Sequence, residues 1–180
     1  RAAVHLNSNN VDAILMAAEL LANMKQYDLS AQAFSTVSSD NTAFQSAELG
    51  RAETLRKAGK SEAAIEVLEA LSRSYPDMPR VFATAGDTYR EADQLENART
   101  AYTRALELYD DADPLKWFIH YARGITNHSL DDWPAAEVDF RAALTLNPDQ
   151  PQVLNYLGYS MVERGINMEE ALKMIETAVA

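Results

Sequence analysis

The stretch whose reading decides the fold runs from Gly124 to Pro148, GITNHSLDDWPAAEVDFRAALTLNP. Trp133, Ala136, Phe140, Ala143 and Leu144 recur at steps of three and four, which places them on one side of a helix. The residues from Gly124 to Leu130 read as the back of an earlier helix, with a tight turn between the two. A two-helix hairpin of this size cannot bury its apolar stripe alone, so it has to stack on copies of itself.

The copies are present. From Gly124 the ruler finds a small residue twelve places on at Ala136, an aromatic four further at Phe140, a small residue three further at Ala143, and then Pro148. One block earlier it finds Gly86, Ala98, Tyr102 and Ala105, with Phe82 and Tyr89 flanking Gly86. Before that come Ala52, Ala64, Leu68, Leu71 and Pro76, and first of all Ala18, Ser30, Phe34 and Val37. After Pro148 it finds Leu154, Leu157, Gly158, Ala171, Ile175 and Ala178. The small residues let two helices approach closely, and the aromatic and leucine knobs fill the space between neighbouring hairpins.

This pattern resembles the tetratricopeptide repeat, a helix-turn-helix of about 34 residues with an aromatic, Leu-Gly, Tyr, Ala, aromatic and Pro signature. The resemblance covers nearly the whole chain, as repeats at about 11–44, 45–78, 79–112, 117–150 and 151–180. It implies an all-α fold, a right-handed α-solenoid of stacked hairpins. The first block departs from the signature with Ala18 and Ser30, and the fourth with His120 and Arg123 where an aromatic and a leucine are usual.

Two spacings depart from the ruler. Four extra residues separate the third and fourth blocks, close to one turn of about 3.6, so a helix lengthened there keeps its stripe on the same side. In the fifth block one extra residue separates Gly158 from Ala171. Inside a helix it would swing the stripe by about 100°, so it is expected in the turn Arg164-Gly165-Ile166-Asn167.

Composition bounds the class. The chain has 180 residues, 47% hydrophobic content, six glycines, six prolines and no cysteine, which describes a core-forming unit that rests on neither disulfides nor thiolate metal sites. No run reaches the roughly 20 apolar residues of a membrane span, so direct membrane insertion is not expected. A net charge of −11 argues against a nucleic-acid partner, which needs a basic face. Nine of the sixteen Lys and Arg residues lie between Arg51 and Arg104, a distribution that solvated helix faces account for.

Residues Arg1 to Asn10 read as the end of a preceding repeat, because Leu6-Asn7-Ser8-Asn9-Asn10 aligns with Leu146-Asn147-Pro148-Asp149-Gln150. The chain is therefore expected to be cut from a longer array. At the other end Met168, Leu172, Ile175 and Val179 would lack the covering helix that repeat arrays normally provide, so end-to-end self-association is expected. Pro76-Asp77-Met78-Pro79 and Pro148-Asp149-Gln150-Pro151 each end one helix and start the next, and Asp113-Pro114 and Asp132-Trp133-Pro134 place an acidic residue with proline close behind at a helix start. Ten helices of some 12 to 16 residues follow, at about 11–24, 27–39, 42–58, 61–74, 79–92, 95–109, 114–129, 133–146, 151–164 and 168–180.

No pattern supports an enzyme. Asp110, Asp111 and Asp113 cluster, but the glycine and distal glutamate of a calcium loop are missing. His120 and His128 are eight residues apart and have no HExxH context. Ala58-Gly59-Lys60-Ser61 lacks the upstream glycine and strand of a phosphate loop. No catalytic residue, metal or cofactor is expected.

What remains is recognition of a protein or peptide partner. The resemblance implies that the first helix of each hairpin lines a concave groove. The stripes left over there include Arg80 and Arg90 in the third repeat, Phe118, Tyr121 and Ile125 in the fourth, and Gln152, Asn155 and Tyr159 in the fifth. Aromatics beside amides and arginines suit an extended peptide or short helix. The expected function is a non-catalytic scaffold or adaptor, with an accessory substrate-presenting region of a larger enzyme or envelope machine as the alternative. The closing residues, Leu154 to Tyr159 and Glu169 to Leu172, resemble repeat proteins of Gram-negative bacteria, several of them envelope lipoproteins, which points to the periplasm or cell envelope over the cytoplasm.

Overall fold

Each hairpin is closed by one residue in the left-handed region. These residues are Lys25, Gly59, Asp93, Asp131 and Gly165, at intervals of 34, 34, 38 and 34 residues. The same pair of bonds surrounds each of them. At the fourth, Asp132 N donates to Asn127 O (2.9 Å) and Asp131 N to His128 O (3.0 Å). At the first, Gln26 N donates to Leu21 O (2.8 Å) and Lys25 N to Ala22 O (2.9 Å). This Schellman pattern satisfies the carbonyls left over at a helix end and turns the chain sharply. Only two of the five turns use glycine for it.

The computed structural model describes residues 10–179, so the reading of Arg1–Asn10 as the end of a preceding repeat lies, Asn10 apart, outside the described residues. Among the described residues there are ten helices and no strand. They are α1 (Val11–Asn23), α2 (Tyr27–Phe34), α3 (Phe44–Lys57), α4 (Ser61–Ser74), α5 (Pro79–Glu91), α6 (Leu95–Leu108), α7 (Lys116–Ser129), α8 (Trp133–Leu146), α9 (Pro151–Arg164) and α10 (Met168–Val179). Proline stands in the first turn of α5, α8 and α9, where its missing N–H costs nothing. Asn10 and Asp132 accept from the amides of Ala13 (3.2 Å) and Ala135 (3.3 Å) and cap α1 and α8.

The helices form two compact units, α1–α5 and α6–α10. In the first, each helix packs on the next and α3 also lies against α1 and α5. One of its cores gathers Ile14, Ala18, Phe34, Val37 and Ala47. In the second, α6 packs on α7, α7 on α8, α8 on α9 and α9 on α10. Its core is Trp133, Ala136, Phe140, Ala143, Val153, Leu157, Met161 and Ala171. The small positions of the ruler, Ala18, Ala52, Gly86, Gly124 and Gly158 on first helices and Ser30, Ala64, Ala98, Ala136 and Ala171 on second helices, are all buried.

Three boundaries among the described residues differ from the sequence expectation by two residues or more. Helix α2 stops at Phe34 rather than near 39 and has 8 residues, below the expected range. Ser35 Oγ donates to Gln32 O (2.8 Å) and Thr36 Oγ1 to Ala33 O (2.7 Å), and these side chains compete with the helical ladder. Val37 stays buried although it lies outside the helix. Helix α3 starts at Phe44 rather than 42 because Asn41 Oδ1 captures the amide of Ala43 (2.9 Å). Helix α7 starts at Lys116 rather than 114, since Asp113 Oδ1 accepts from Leu115 N (2.8 Å) and holds a turn there. The four extra residues therefore lengthen no helix, because α6 and α7 each have 14 residues and the insertion sits in the loop between them. The single extra residue of the fifth block does lie in the turn, where Asn167 (φ 44) follows Gly165 as a second left-handed residue.

Close approach at the glycines is measurable. A Cβ built on Gly158 would stand 2.8 Å from Ile175 Cγ1 and 2.9 Å from the backbone oxygen of Ala171. Gly158→Leu is expected to cost about 1–3 kcal/mol by overpacking, against little for Ala92→Leu at a turn. Urea titration checks both, and equal effects would mean that the crossing is not tight.

Candidate functional site

On α7 and α9 the side chains divide by depth. Trp117, Tyr121, Ile125, Tyr156 and Val162 pack against the core of the second unit. Tyr121 lies 6.1 Å from the Phe140 ring and 6.2 Å, edge on, from Tyr156, while Tyr156 is 5.1 Å from Phe140. His128 Nδ1 is 3.0 Å from the Tyr156 hydroxyl. Burial raises the Tyr156 phenol above its ordinary value, and the nearby Tyr121 and Glu163 add to that. Edge-to-face geometry at these distances fixes ring orientation as well as burying area.

Phe118 and Tyr159 stand apart from this group. They are 41% and 54% exposed, with Phe118 resting edge on against Trp117 at 5.7 Å. Asn155 is exposed as well. The expected aromatic set is thus split between Tyr121 and Ile125, which are tied into the core, and Phe118, Tyr159 and Asn155, which are accessible. Arg80 and Arg90 belong to the first unit. Arg80 Nη2 is 3.4 Å from Glu53 Oε1 and Arg90 Nη2 is 3.9 Å from Asp87 Oδ1, so each cation already faces a carboxylate.

A second constellation was not read from the sequence. Asp139 of α8 is 1% exposed. Its Oδ1 accepts from Arg123 Nη2 (2.7 Å) and His120 Nδ1 (2.9 Å), and its Oδ2 from Arg123 Nε (2.8 Å) and Asn127 Nδ2 (3.0 Å). Arg123 Nη1 goes on to Thr103 Oγ1 (3.0 Å) on α6. Burial alone would raise the Asp139 carboxyl, but the bonds from His120 and Arg123, together with the guanidinium charge, outweigh it and hold the group below the usual carboxylate range. With all four lone pairs engaged, this carboxylate is a clamp between α7 and α8 rather than a proton acceptor. Its signature was visible, since His120 and Arg123 break the repeat pattern and Asp139 occupies the place of Val67 and Ala101.

Among the described residues no group of three or more His, Cys, Asp or Glu is placed to hold a metal ion, and no helix is long and apolar enough to cross a membrane. At the turn next to Asp113, Lys116 Nζ reaches Asp111 Oδ1 (2.5 Å) and the Tyr109 carbonyl (3.3 Å), which accounts for the acidic cluster there.

Comparison with known proteins agrees with this architecture. The chain is 26% identical over 170 residues to human tetratricopeptide repeat protein 13, covering 92% of this chain and 19% of that protein. It is 27% identical over 133 residues to the TPR repeat-containing protein PA4667 of Pseudomonas aeruginosa, covering 73% of this chain and 22% of the other. A shorter stretch of 71 residues, 38% of the chain, is 44% identical to 9% of mouse aspartyl/asparaginyl beta-hydroxylase. The chain thus spans about a fifth of the length of the first two relatives. The crystal structure of MamA superposes with a TM-score of 0.77 at 17% identity over 90% of this chain and 92% of that one. Pseudomonas aeruginosa PilF gives 0.83 at 15% over 93% and 74%. A tetratricopeptide repeat model matches residues 15–79, 49–114 and 83–151. Proteins built this way are in general non-catalytic scaffolds for protein–protein interaction. By its five hairpin turns, its buried small residues and this match along most of its length, the chain belongs to the tetratricopeptide repeat family.

Proposed function

We propose that the α7–α9 face of the second unit binds a segment of another protein, with Phe118 and Tyr159 as the accessible anchors, Tyr121 and Ile125 as the floor beneath them and Asn155 as the amide that engages the partner's backbone. The observation that carries this reading is the division by depth: rings locked to the core through Phe140 and Tyr156 lie beside two aromatics open to solvent. Large aromatics with little freedom left to lose are what binding hot spots are made of. Arg80 and Arg90 in the first unit would favour acidic partners through the association rate, weakened by their own carboxylate neighbours.

The test starts from peptides selected by display on the immobilised protein, whose affinities are then measured on variants. Phe118→Ala and Tyr159→Ala are each expected to weaken binding by about 1–3 kcal/mol with an unchanged helical spectrum. Selected peptides that bind the double variant as tightly as the wild type would move the site elsewhere. A second reading, an accessory array within a larger enzyme, draws on the stretch shared with the mouse hydroxylase. A catalytic domain in the full gene product would favour it.

A further inference from the structure

The apolar stripe of α7 begins before the helix does. Leu115 is the N-cap, and its carbonyl accepts from the amides of Phe118 (3.0 Å) and Ile119 (3.3 Å). Leu115, Phe118, Tyr121 and Ile125 therefore follow one another at steps of three, three and four along one side of α7. Tyr121 and Ile125 close the inner end of this stripe on the core. Leu115 and Phe118, 51% and 41% exposed, leave its outer end open. Both stand inside the array, with α6 before them and α8 and α9 after them.

The loop that delivers Leu115, residues 109–115, is seven residues long, against four in each of the loops 75–78 and 147–150. It sets Asp110, Asp111 and Asp113 at the open end of the stripe. Asp110 and Asp111 are exposed, and Asp113 is held there by the amide of Leu115 (2.8 Å). Lys116 is the one cation in residues 109–118. Its side chain is only 12% exposed, with Nζ turned to Asp111 and to the Tyr109 carbonyl, so it answers a single carboxylate. Helix α8 runs back between α7 and α9, which brings the loop before α9 to the same end of the unit, and that loop adds the exposed Asp149 and no cation. The imbalance extends to the whole second unit, where residues 95–180 hold fourteen Asp and Glu against seven Lys and Arg.

We infer that the segment bound by the α7–α9 face is basic next to its apolar anchor: an aliphatic or aromatic side chain rests on Leu115 and Phe118, and a Lys or Arg beside it faces Asp110, Asp111 and Asp149. This rests on the reading of that face as a protein-binding site and gives its partner a sign of charge. Complementary charge on the rim of an apolar contact speeds the encounter and selects among partners more than it deepens binding. Long cationic side chains also lay their methylenes along apolar surface while the charged head stays in water. Arg80 and Arg90 belong to the first unit and face carboxylates of their own, so they do not set the charge at this end.

Peptide display on the immobilised whole chain tests the inference, run in parallel on the wild type and on an Asp110→Lys/Asp149→Lys variant. Peptides that lose binding to Phe118→Ala are expected to carry Lys or Arg within a few residues of an apolar one when selected on the wild type, and Asp or Glu there when selected on the variant. For a peptide selected on the wild type, Asp110→Asn/Asp149→Asn should weaken binding about three- to tenfold at low salt, with the difference closing as salt rises and helicity unchanged. Phe118-dependent peptides without that basic flank, or equal affinity for the Asn variant at low salt, overturn the inference and leave the binding face standing. A selection that yields no Phe118-dependent peptide removes the face, and this inference with it.

Discussion

Asp139→Ala is expected to cost up to about 3–5 kcal/mol, because it leaves the partly buried Arg123 guanidinium, with His120 and the buried Asn127 beside it, without the carboxylate that engages them. Both tryptophans, Trp117 and Trp133, lie in the second unit, so urea unfolding followed by tryptophan fluorescence reads the loss where it occurs. The fifth hairpin supplies the control. At the places of His120, Arg123, Asn127 and Asp139 it carries Leu154, Leu157, Met161 and Met174. Transplanting all four residues together should recover most of the loss, since a buried ion pair exchanged for packed apolar groups is often neutral or stabilising. A single Asp139→Ala variant as stable as the wild type would mean that water reaches Arg123. The pH dependence has a definite sign. Asp139 titrates below its ordinary value in the folded chain, so its contribution is present in full above the unfolded value of about 3.9 and is lost as pH falls through the depressed folded value. Acid unfolding of the wild-type second unit should therefore show a step that the four-residue transplant lacks.

Phe140→Ala is expected to cost a similar amount, about 3–5 kcal/mol. The ring is fully buried, and it would stand 2.7 Å from a Cβ at Gly124 while touching Tyr121 and Tyr156. Its removal leaves the two tyrosines without their common support, so near-ultraviolet dichroism should fall before far-ultraviolet dichroism does. Calorimetry or urea titration gives the magnitude. A loss below about 1 kcal/mol would show that the neighbouring helices collapse into the space.

Most of the fold was legible because its determinants are periodic. Ala136, Phe140 and Ala143 state the rule once and Ala98, Tyr102 and Ala105 repeat it, so burial at those positions follows from spacing alone. Helix ends were legible where proline or an acidic cap wrote them, and were missed at Phe34, Phe44 and Lys116. There Ser35, Thr36, Asn41 and Asp113 decide the matter through side-chain bonds that no periodicity carries. The aromatic face was half legible. Helical spacing put Phe118, Tyr121 and Tyr159 on first helices, but only packing against Phe140 and Tyr156 separates the locked ring from the open ones. The Asp139 clamp escaped because each member, taken singly, looks like a surface residue out of place. The four make sense only when α7 and α8 are laid side by side.

That clamp bears on how the chain finds its fold. Five hairpins written on one template offer each first helix several second helices of nearly the same shape, and a solenoid assembled from interchangeable parts is open to pairing with the wrong neighbour. Helix α7 is not interchangeable. Buried against the apolar flank of α4 or α10, where Val67 or Met174 stands in place of Asp139, Arg123 would be stranded without a counter-charge. The arginine and the aspartate thus act as an address: they add little to the depth of the correct well, but raise every incorrect one.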